Sequence, residues 1–192
     1  MSARRLLVCS LVVLGASCVP RAETRPPAAA DAAATSPESL FAHGQALFAG
    51  GDHDRAEQYM TLAVRAGYPE ARAIVPLTRV CIAASRLRAA LDHAVPFLRR
   101  HPDAWELRYL VAAIRLALGH VAEARTELER VIASQPEAAQ PHYLLGVIER
   151  DAFRDEPAAR KSFETYAALD PHGAFAPEVL AWLAEKPSKE AP

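Results

Sequence analysis

The chain has 192 residues, about half of them apolar, and a formal net charge of −1. This length suits one domain with a hydrophobic core of its own. Alanine and leucine are abundant while glycine and aromatic residues are few, which favours helix. The balanced charge, with no lysine-arginine face, argues against a nucleic-acid partner.

The N-terminus has the composition of a targeting segment. Arg4 and Arg5 precede the apolar run 6–14, and small residues follow as far as Cys18. The apolar run is much shorter than the ~20 residues that span a bilayer. The sequence therefore predicts a signal peptide over residues 1–17.

The five residues from Leu14 to Cys18 resemble a bacterial lipobox, with Gly15 where that motif prefers leucine. The resemblance implies cleavage after Ser17 and acylation of Cys18 with diacylglycerol and palmitate-type chains, which would anchor the protein firmly in a membrane. In lipoproteins, a residue such as Val19 after the cysteine implies the outer membrane, facing the periplasm. The alternative is an ordinary secretory peptide and a soluble periplasmic or secreted protein.

A tether and then a folded region follow the predicted anchor. Residues 18–36 are rich in proline, alanine and charge without apolar periodicity, which predicts a disordered tether. Ser36 and Pro37 are typical of a helix cap followed by proline at the first helical position. Cys81 lies between apolar neighbours, so we expect a small buried side chain rather than a reactive thiol.

The stretch 105–136 predicts two amphipathic helices separated by a turn at Gly119 and ended by Pro136. A helical hairpin of this kind cannot bury both faces alone and calls for copies of itself. A step of 34 residues supplies them. It aligns three sets of positions, namely the turn residues Gly51, Ser85 and Gly119, the small residues Ala56, Ala90 and Ala124, and the partner-facing residues Met60, Ala94 and Leu128.

This 34-residue period, with a small residue early in the second helix and a proline after it, resembles the tetratricopeptide repeat. The resemblance implies an all-α, right-handed solenoid of about four helical hairpins. The repeats fall at 37–70, 71–104, 105–138 and 139–173, followed by a capping helix at 174–186 and a disordered tail at 187–192. Trp182 is expected to pack the capping helix against the last hairpin.

Two repeats depart from the pattern. Repeat four keeps Leu145 and Gly146 but carries one extra residue, which we expect in the inter-helix loop 150–157. In repeat two, Pro76 predicts a shortened first helix that begins near it. Pro96 lies inside the second helix, where the lost hydrogen bond predicts a kink.

Nothing in the sequence indicates catalysis or a cofactor. The seven histidines form no HExxH motif and no Cys-His cluster at zinc spacing, and there is no phosphate-binding glycine loop. Glu123, Glu127 and Glu129 are predicted to lie on a solvated helix face, paired with Arg125 and Arg130. We therefore expect no enzyme activity, no metal and no small-molecule substrate.

The resemblance implies a concave groove, built from the first helix of each repeat, that binds a protein or peptide. Aromatic and arginine side chains in it would suit a binding surface. The residues it implies are Phe41, Gln45 and Phe48, then Arg72, Arg79 and Ile82, then Tyr109, Ala113 and Leu116, and last Tyr143, Val147 and Arg150. The expected function is that of an exported, membrane-anchored interaction module. The alternatives are an envelope assembly factor resembling the lipoproteins that install secretins or barrel proteins, and a non-catalytic accessory subunit of a cell-wall enzyme.

Overall fold

The computed structural model describes residues 36–185, so the predicted signal peptide, Cys18, the tether and the tail lie outside the described residues. The described residues form nine α-helices and no strand. The helices are α1 Pro37–Ala49, α2 His53–Arg65, α3 Glu70–Ala83, α4 Leu87–Arg100, α5 Trp105–Ala117, α6 Val121–Ser134, α7 Ala139–Ile148, α8 Glu156–Leu169 and α9 Ala176–Ala184. No helix in this range has the length and apolar character needed to cross a bilayer.

Short polar side chains begin three of the helices. The hydroxyl of Ser36 accepts a hydrogen bond from the amide of Ser39 at 3.2 Å, and Pro37 occupies the first turn of α1. Asp52 and Asp155 cap α2 and α8 in the same way. Each cap satisfies an amide that would otherwise lack a partner at the helix start.

The 34-residue period appears directly in the turns inside the hairpins. The left-handed backbone recurs there, at φ 82° for Gly51, 58° for Ser85, 81° for Gly119 and 57° for Arg154. Each turn is closed by a backbone hydrogen bond to the carbonyl of Leu47, Cys81, Arg115 or Glu149, four residues 34 apart. The geometry of the turn is therefore kept even where the sequence has serine or arginine in place of glycine.

The extra residue of repeat four does not lengthen a loop as expected. Residues Glu149–Phe153 form a π-helical turn that continues α7, and Arg154 then takes the left-handed conformation. The closing hydrogen bond, from the amide of Asp155 to the carbonyl of Glu149, spans six residues where the other turns span five. A π-turn absorbs one inserted residue while the flanking helices stay in register.

The prediction for Pro76 is wrong. The first helix of repeat two begins at Glu70, just after Pro69, and continues through Pro76 to Ala83. A proline inside a helix removes one backbone hydrogen bond, but the surrounding turns are held by fully or nearly fully buried residues such as Leu77 and Val80. Helix α4 likewise continues through Pro96 to Arg100; the kink stays a prediction.

In three of the four hairpins, the two helices meet where a small residue on the first faces a larger one on the second. Gly44 lies against Met60, and Gly146 lies against the ring of Phe163. The same repeat position holds Ala112 in repeat three, which shares a core cluster with Leu128. In repeat two the position holds Thr78, and the 34-residue step places Ala94 opposite it. The departures from glycine thus follow the size of the facing residue.

Helix α9 packs on the end of the last hairpin. Trp182 makes an edge contact with Phe163, with ring centroids 5.1 Å apart, and the guanidinium of Arg160 lies 5.1 Å from the Trp182 ring. Arg160 also donates to the carbonyl oxygens of Leu183 and Glu185, near and just beyond the C-terminus of α9. Trp182 is thus a packing residue, as the sequence predicts.

Candidate functional site

Two adjoining recesses open on the surface formed by the first helices of the repeats. The first recess has a volume of about 650 Å³ and the second about 570 Å³. The first is lined by Gln45, Phe48, Met60, Ala71, Arg72, Val75, Pro76, Arg79 and Glu106. The second is lined by Arg79, Ile82, Ala83, Trp105, Glu106, Tyr109, Leu110, Gln140 and Pro141.

The two recesses are copies of one another. A step of 34 residues converts Gln45, Phe48, Ala71, Arg72, Val75, Pro76 and Glu106 of the first into Arg79, Ile82, Trp105, Glu106, Tyr109, Leu110 and Gln140 of the second. The groove therefore repeats with the solenoid itself at seven of the nine lining positions, which carry different side chains in the two recesses. The first is the more cationic and the second the more aromatic.

An ion pair lies where the recesses meet. The guanidinium of Arg79 is 2.7 Å from the carboxylate of Glu106, and both side chains line both recesses. The guanidinium of Arg72 lies 5.6 Å from the Tyr68 ring. Burial raises the pKa of Tyr109, while Arg79 acts in the opposite direction. The phenol therefore stays protonated and can donate a hydrogen bond at neutral pH.

Half of the predicted groove residues line the recesses. They are Gln45, Phe48, Arg72, Arg79, Ile82 and Tyr109. Phe41 does not join them, since it is only 4% exposed and its ring stacks on Tyr68 with centroids 4.1 Å apart. The structure places Phe41 in the core of the first hairpin.

The predicted residues of repeats three and four are less open. Ala113 and Leu116 are partly buried, and Leu116 packs against the cluster around Leu128. Tyr143 stacks on Phe175, with centroids 4.0 Å apart, and donates a hydrogen bond to Glu178 of α9.

Arg150 also interacts with α9 at the C-terminal end of the solenoid. Its guanidinium pairs with Asp151 and Glu178, which raises the pKa of Arg150, and Arg150 in turn lowers the pKa of Asp151. Val147 packs in the cluster that contains Val179 of α9. Helix α9 thus covers the surface that Tyr143, Val147 and Arg150 were predicted to present.

Comparison with known proteins agrees with this geometry. Residues 112–174 match the tetratricopeptide repeat family model. Residues 36–185 have the fold of a tetratricopeptide-repeat solenoid.

Solved structures of tetratricopeptide-repeat proteins share its fold. YrrB, whose structure is described as having an unusual peptide-binding site, is 16% identical, with 76% of this chain and 74% of that chain covered and a TM-score of 0.64. MamA from Desulfovibrio magneticus RS-1 is 19% identical over 72% and 78% of the two chains, with a TM-score of 0.64. A thermophilic protein of this kind from Thermus thermophilus is 19% identical over 78% and 80%, with a TM-score of 0.63. No curated protein sequence matches the chain.

Ten residues that line the recesses escaped the sequence prediction, and three of them have polar or aromatic side chains. Trp105, Glu106 and Gln140 line the second recess, and Trp105 is 36% exposed. Glu106 and Gln140 occupy the same repeat position as Arg72, so the 34-residue step applied to that residue would have found them. Trp105 likewise corresponds to Ala71 of the first recess.

The prediction that Glu127 lies on a solvated face of α6 is wrong. It is only 8% exposed and is paired with Arg108 at 2.6 Å, Arg130 at 3.3 Å and Arg115 at 3.5 Å. The sequence suggested only the local partners Arg125 and Arg130, whereas Arg108 and Arg115 come from the neighbouring helix α5. Because a buried carboxylate must be paired to be tolerated, this cluster serves the structure.

Proposed function

We propose that this tetratricopeptide-repeat solenoid is a protein-interaction module that binds an extended peptide segment of a partner protein across its two recesses. The observation that carries the proposal is the repetition of the recess by one repeat length. A groove with two equivalent recesses in line suits a chain that presents two side chains in succession, the usual way in which extended peptides are recognised.

The chemistry of the recesses indicates the kind of segment that fits. Phe48 offers an apolar wall in the first recess, and Trp105 with Tyr109 offers two rings in the second. Arg72 adds positive charge beside the first recess. Aromatic and arginine side chains contribute most to binding at interfaces. The preferred segment therefore carries two apolar side chains, with an acidic group near the one that enters the first recess.

Site-specific photocrosslinking in cells tests the groove. A benzoylphenylalanine side chain introduced in place of Phe48 or of Tyr109 is expected to capture the same partner. Arg99, exposed on the second helix of repeat two, is the matched control position and is expected to give no such product. Added to either groove variant, Arg79→Glu places a carboxylate against Glu106 and is expected to weaken capture from both groove positions.

Two results would contradict the groove. One is capture of the partner from position 99 at the level seen from positions 48 and 109. The other is capture from both groove positions that is unaffected by Arg79→Glu in a protein that circular dichroism shows to be folded.

Export and membrane attachment through Cys18 belong to the same proposal, supported by the N-terminal sequence pattern alone. Fractionation of cells that express the wild type or Cys18→Ala tests this part. The wild type is expected in the membrane fraction and the variant in the soluble or unprocessed fraction. If both are soluble, the anchor is absent and the groove proposal stands on its own.

A further inference from the structure

Three side chains of metal-binding type meet between the first two repeats. They are Glu57 on α2, Cys81 on α3 and His93 on α4, and one ligand atom of each lies within 4.8 Å of the others. Among residues 36–185, this is the one group of three histidine, cysteine or acidic side chains whose possible ligand atoms lie this close together. The three come from separate helices, so no short motif in the sequence announces them.

The repeat symmetry shows how unusual this set is. A step of 68 residues, with one more after the π-turn, converts Glu57, Cys81 and His93 into Arg125, Glu149 and Ser162. There the three side chains interact with one another: Arg125 forms an ion pair with Glu149 at 3.6 Å, and the Ser162 hydroxyl donates a hydrogen bond to Glu149 at 2.9 Å.

The copy of these positions that lies between the two, one repeat further along the chain, also contains an ion pair. It consists of Leu91, Arg115 and Glu127, and Arg115 pairs with Glu127 at 3.5 Å. The junction between repeats thus admits polar groups that complement each other. In the first copy, the residues at these positions are a carboxylate, a thiol and an imidazole, a donor set of the kind that binds zinc.

We propose that Glu57, Cys81 and His93 form a binding site for a divalent transition metal of the zinc class. The imidazole Nε2 of His93 lies 3.9 Å from the carboxylate of Glu57. With bonds of ~2.0 Å to nitrogen or oxygen and ~2.3 Å to sulfur, tetrahedral ligand atoms lie roughly 3.3–3.8 Å apart. Rotation of the Glu57 and His93 side chains, which are 19% and 36% exposed, supplies the small closure that is needed.

The charges of the group balance those of the ion. A thiolate and a carboxylate together neutralise a divalent cation, which suits a position where Cys81 is fully buried. Three protein ligands leave one coordination position of a tetrahedral ion to water.

When no ion is bound, the positive charge of Arg86 compensates the negative charge of the Glu57 carboxylate. Its guanidinium contacts the carboxylate of Glu57 and lies 3.0 Å from Asp54. Burial, and next the charge of Glu57, raise the pKa of the Cys81 thiol to about 12. The ion displaces the thiol proton, so one proton is released for each ion bound. Glu57 then exchanges Arg86 for the metal, while Arg86 keeps Asp54.

Titration with Co²⁺ tests the site, because a thiolate ligand gives cobalt a sulfur-to-metal charge-transfer band. The full chain is used with Cys9→Ser and Cys18→Ser, so that Cys81 is the remaining thiol. We expect one Co²⁺ per chain with that band, displaced by Zn²⁺, and affinity that rises with pH as the thiol proton becomes easier to remove.

Variants assign the ligands. Cys81→Ala is expected to abolish the band, and His93→Gln to weaken binding by at least about tenfold, as for other groups that support a metal site. Arg86→Gln is expected to tighten binding, because it removes a positive charge beside the ion. His120→Gln is the matched control, since His120 is a histidine 3.3 Å from Glu123 and outside the group of three; it is expected to change nothing.

The proposal is overturned if the parent chain gives no charge-transfer band, or if the band survives with equal affinity in His93→Gln. It is also overturned if Arg86→Gln weakens binding. Far-UV circular dichroism of each variant establishes that it is folded. Should Cys81→Ala fail to fold, His93→Gln and Arg86→Gln decide the question, since both of these side chains are at least partly exposed.

Discussion

Replacing Gly146 by alanine sets two effects of similar size against each other. Gly146 lies inside the last hairpin, and a Cβ atom there would stand 2.6 Å from both Cδ1 and Cε1 of Phe163. Alanine in a helix is favoured over glycine by about 1 kcal/mol. Extra volume in a well-packed core costs about 1–3 kcal/mol when the neighbours cannot yield.

The surroundings of Phe163 decide which effect is larger. The ring is fully buried and is held by Trp182, with centroids 5.1 Å apart, and by Tyr143 at 6.1 Å. A rigid ring with aromatic neighbours cannot withdraw without disturbing α9. We therefore expect an overpacking cost in the upper part of that range, about 2–3 kcal/mol, so that Gly146→Ala lowers the free energy of unfolding by about 1–2 kcal/mol once the gain in helix propensity is subtracted.

Urea and thermal unfolding followed by circular dichroism measure this change. Gly44→Ala is the matched control at the same repeat position, where an added Cβ would stand 2.8 Å from Cγ of Met60 and 3.1 Å from the backbone oxygen of Ala56. We expect a loss there that Phe163→Leu leaves unchanged. In a Phe163→Leu background the loss from Gly146→Ala should shrink, since the ring is gone. A gain of about 1 kcal/mol from Gly146→Ala, as propensity alone predicts, would refute the reasoning, as would an unchanged loss in the leucine background.

Three further predictions concern single residues. Ser85→Gly is expected to stabilise the protein by about 0.5–1 kcal/mol, because relief of a left-handed φ of 58° outweighs the added chain entropy of glycine in the unfolded state; a lower urea midpoint would contradict this. Glu127→Gln is expected to lower the free energy of unfolding by about 3 kcal/mol, because it leaves Arg108 partly buried without its carboxylate; a neutral result in the same assay would show that the cluster is not needed. With Cys81 as the remaining thiol, a disulfide reagent at neutral pH is expected to react only after denaturation, because the thiol is fully buried and its pKa is about 12; rapid reaction of the folded protein would be evidence against this burial.

The fold was accessible from the sequence because its signal is local and repeated. Three features recur at a fixed step: a turn residue that is glycine in repeats one and three, a small residue in the second helix and a proline after that helix. Each repeat contacts mainly its neighbours. The groove positions of Gln45, Phe48, Arg72, Arg79 and Tyr109 came from the resemblance to the tetratricopeptide repeat, whose groove positions recur at the same step.

The errors arose where neighbouring elements outweighed local preferences. Pro76 has the chemistry of a helix start, but burial of the flanking residues keeps α3 helical on both sides of it. Glu127 has helical neighbours that suggest a solvated face, yet Arg108 and Arg115 approach it from another helix. Neither outcome depends only on residues within one turn of the residue concerned.

By itself, the sequence determined the all-α repeat architecture, the helix start at Ser36 and the packing role of Trp182, because helix periodicity, capping and repeat length are properties of adjacent residues. Tertiary structure alone decided that α9 covers Tyr143 and Arg150, and that two recesses, lined by residues of all four repeats, open along the groove. It also decided that Glu57, Cys81 and His93 meet. These arrangements depend on how separate helices stack. Glu57 and His93 are 36 positions apart in the sequence, and no local pattern indicates that their side chains lie close together in space.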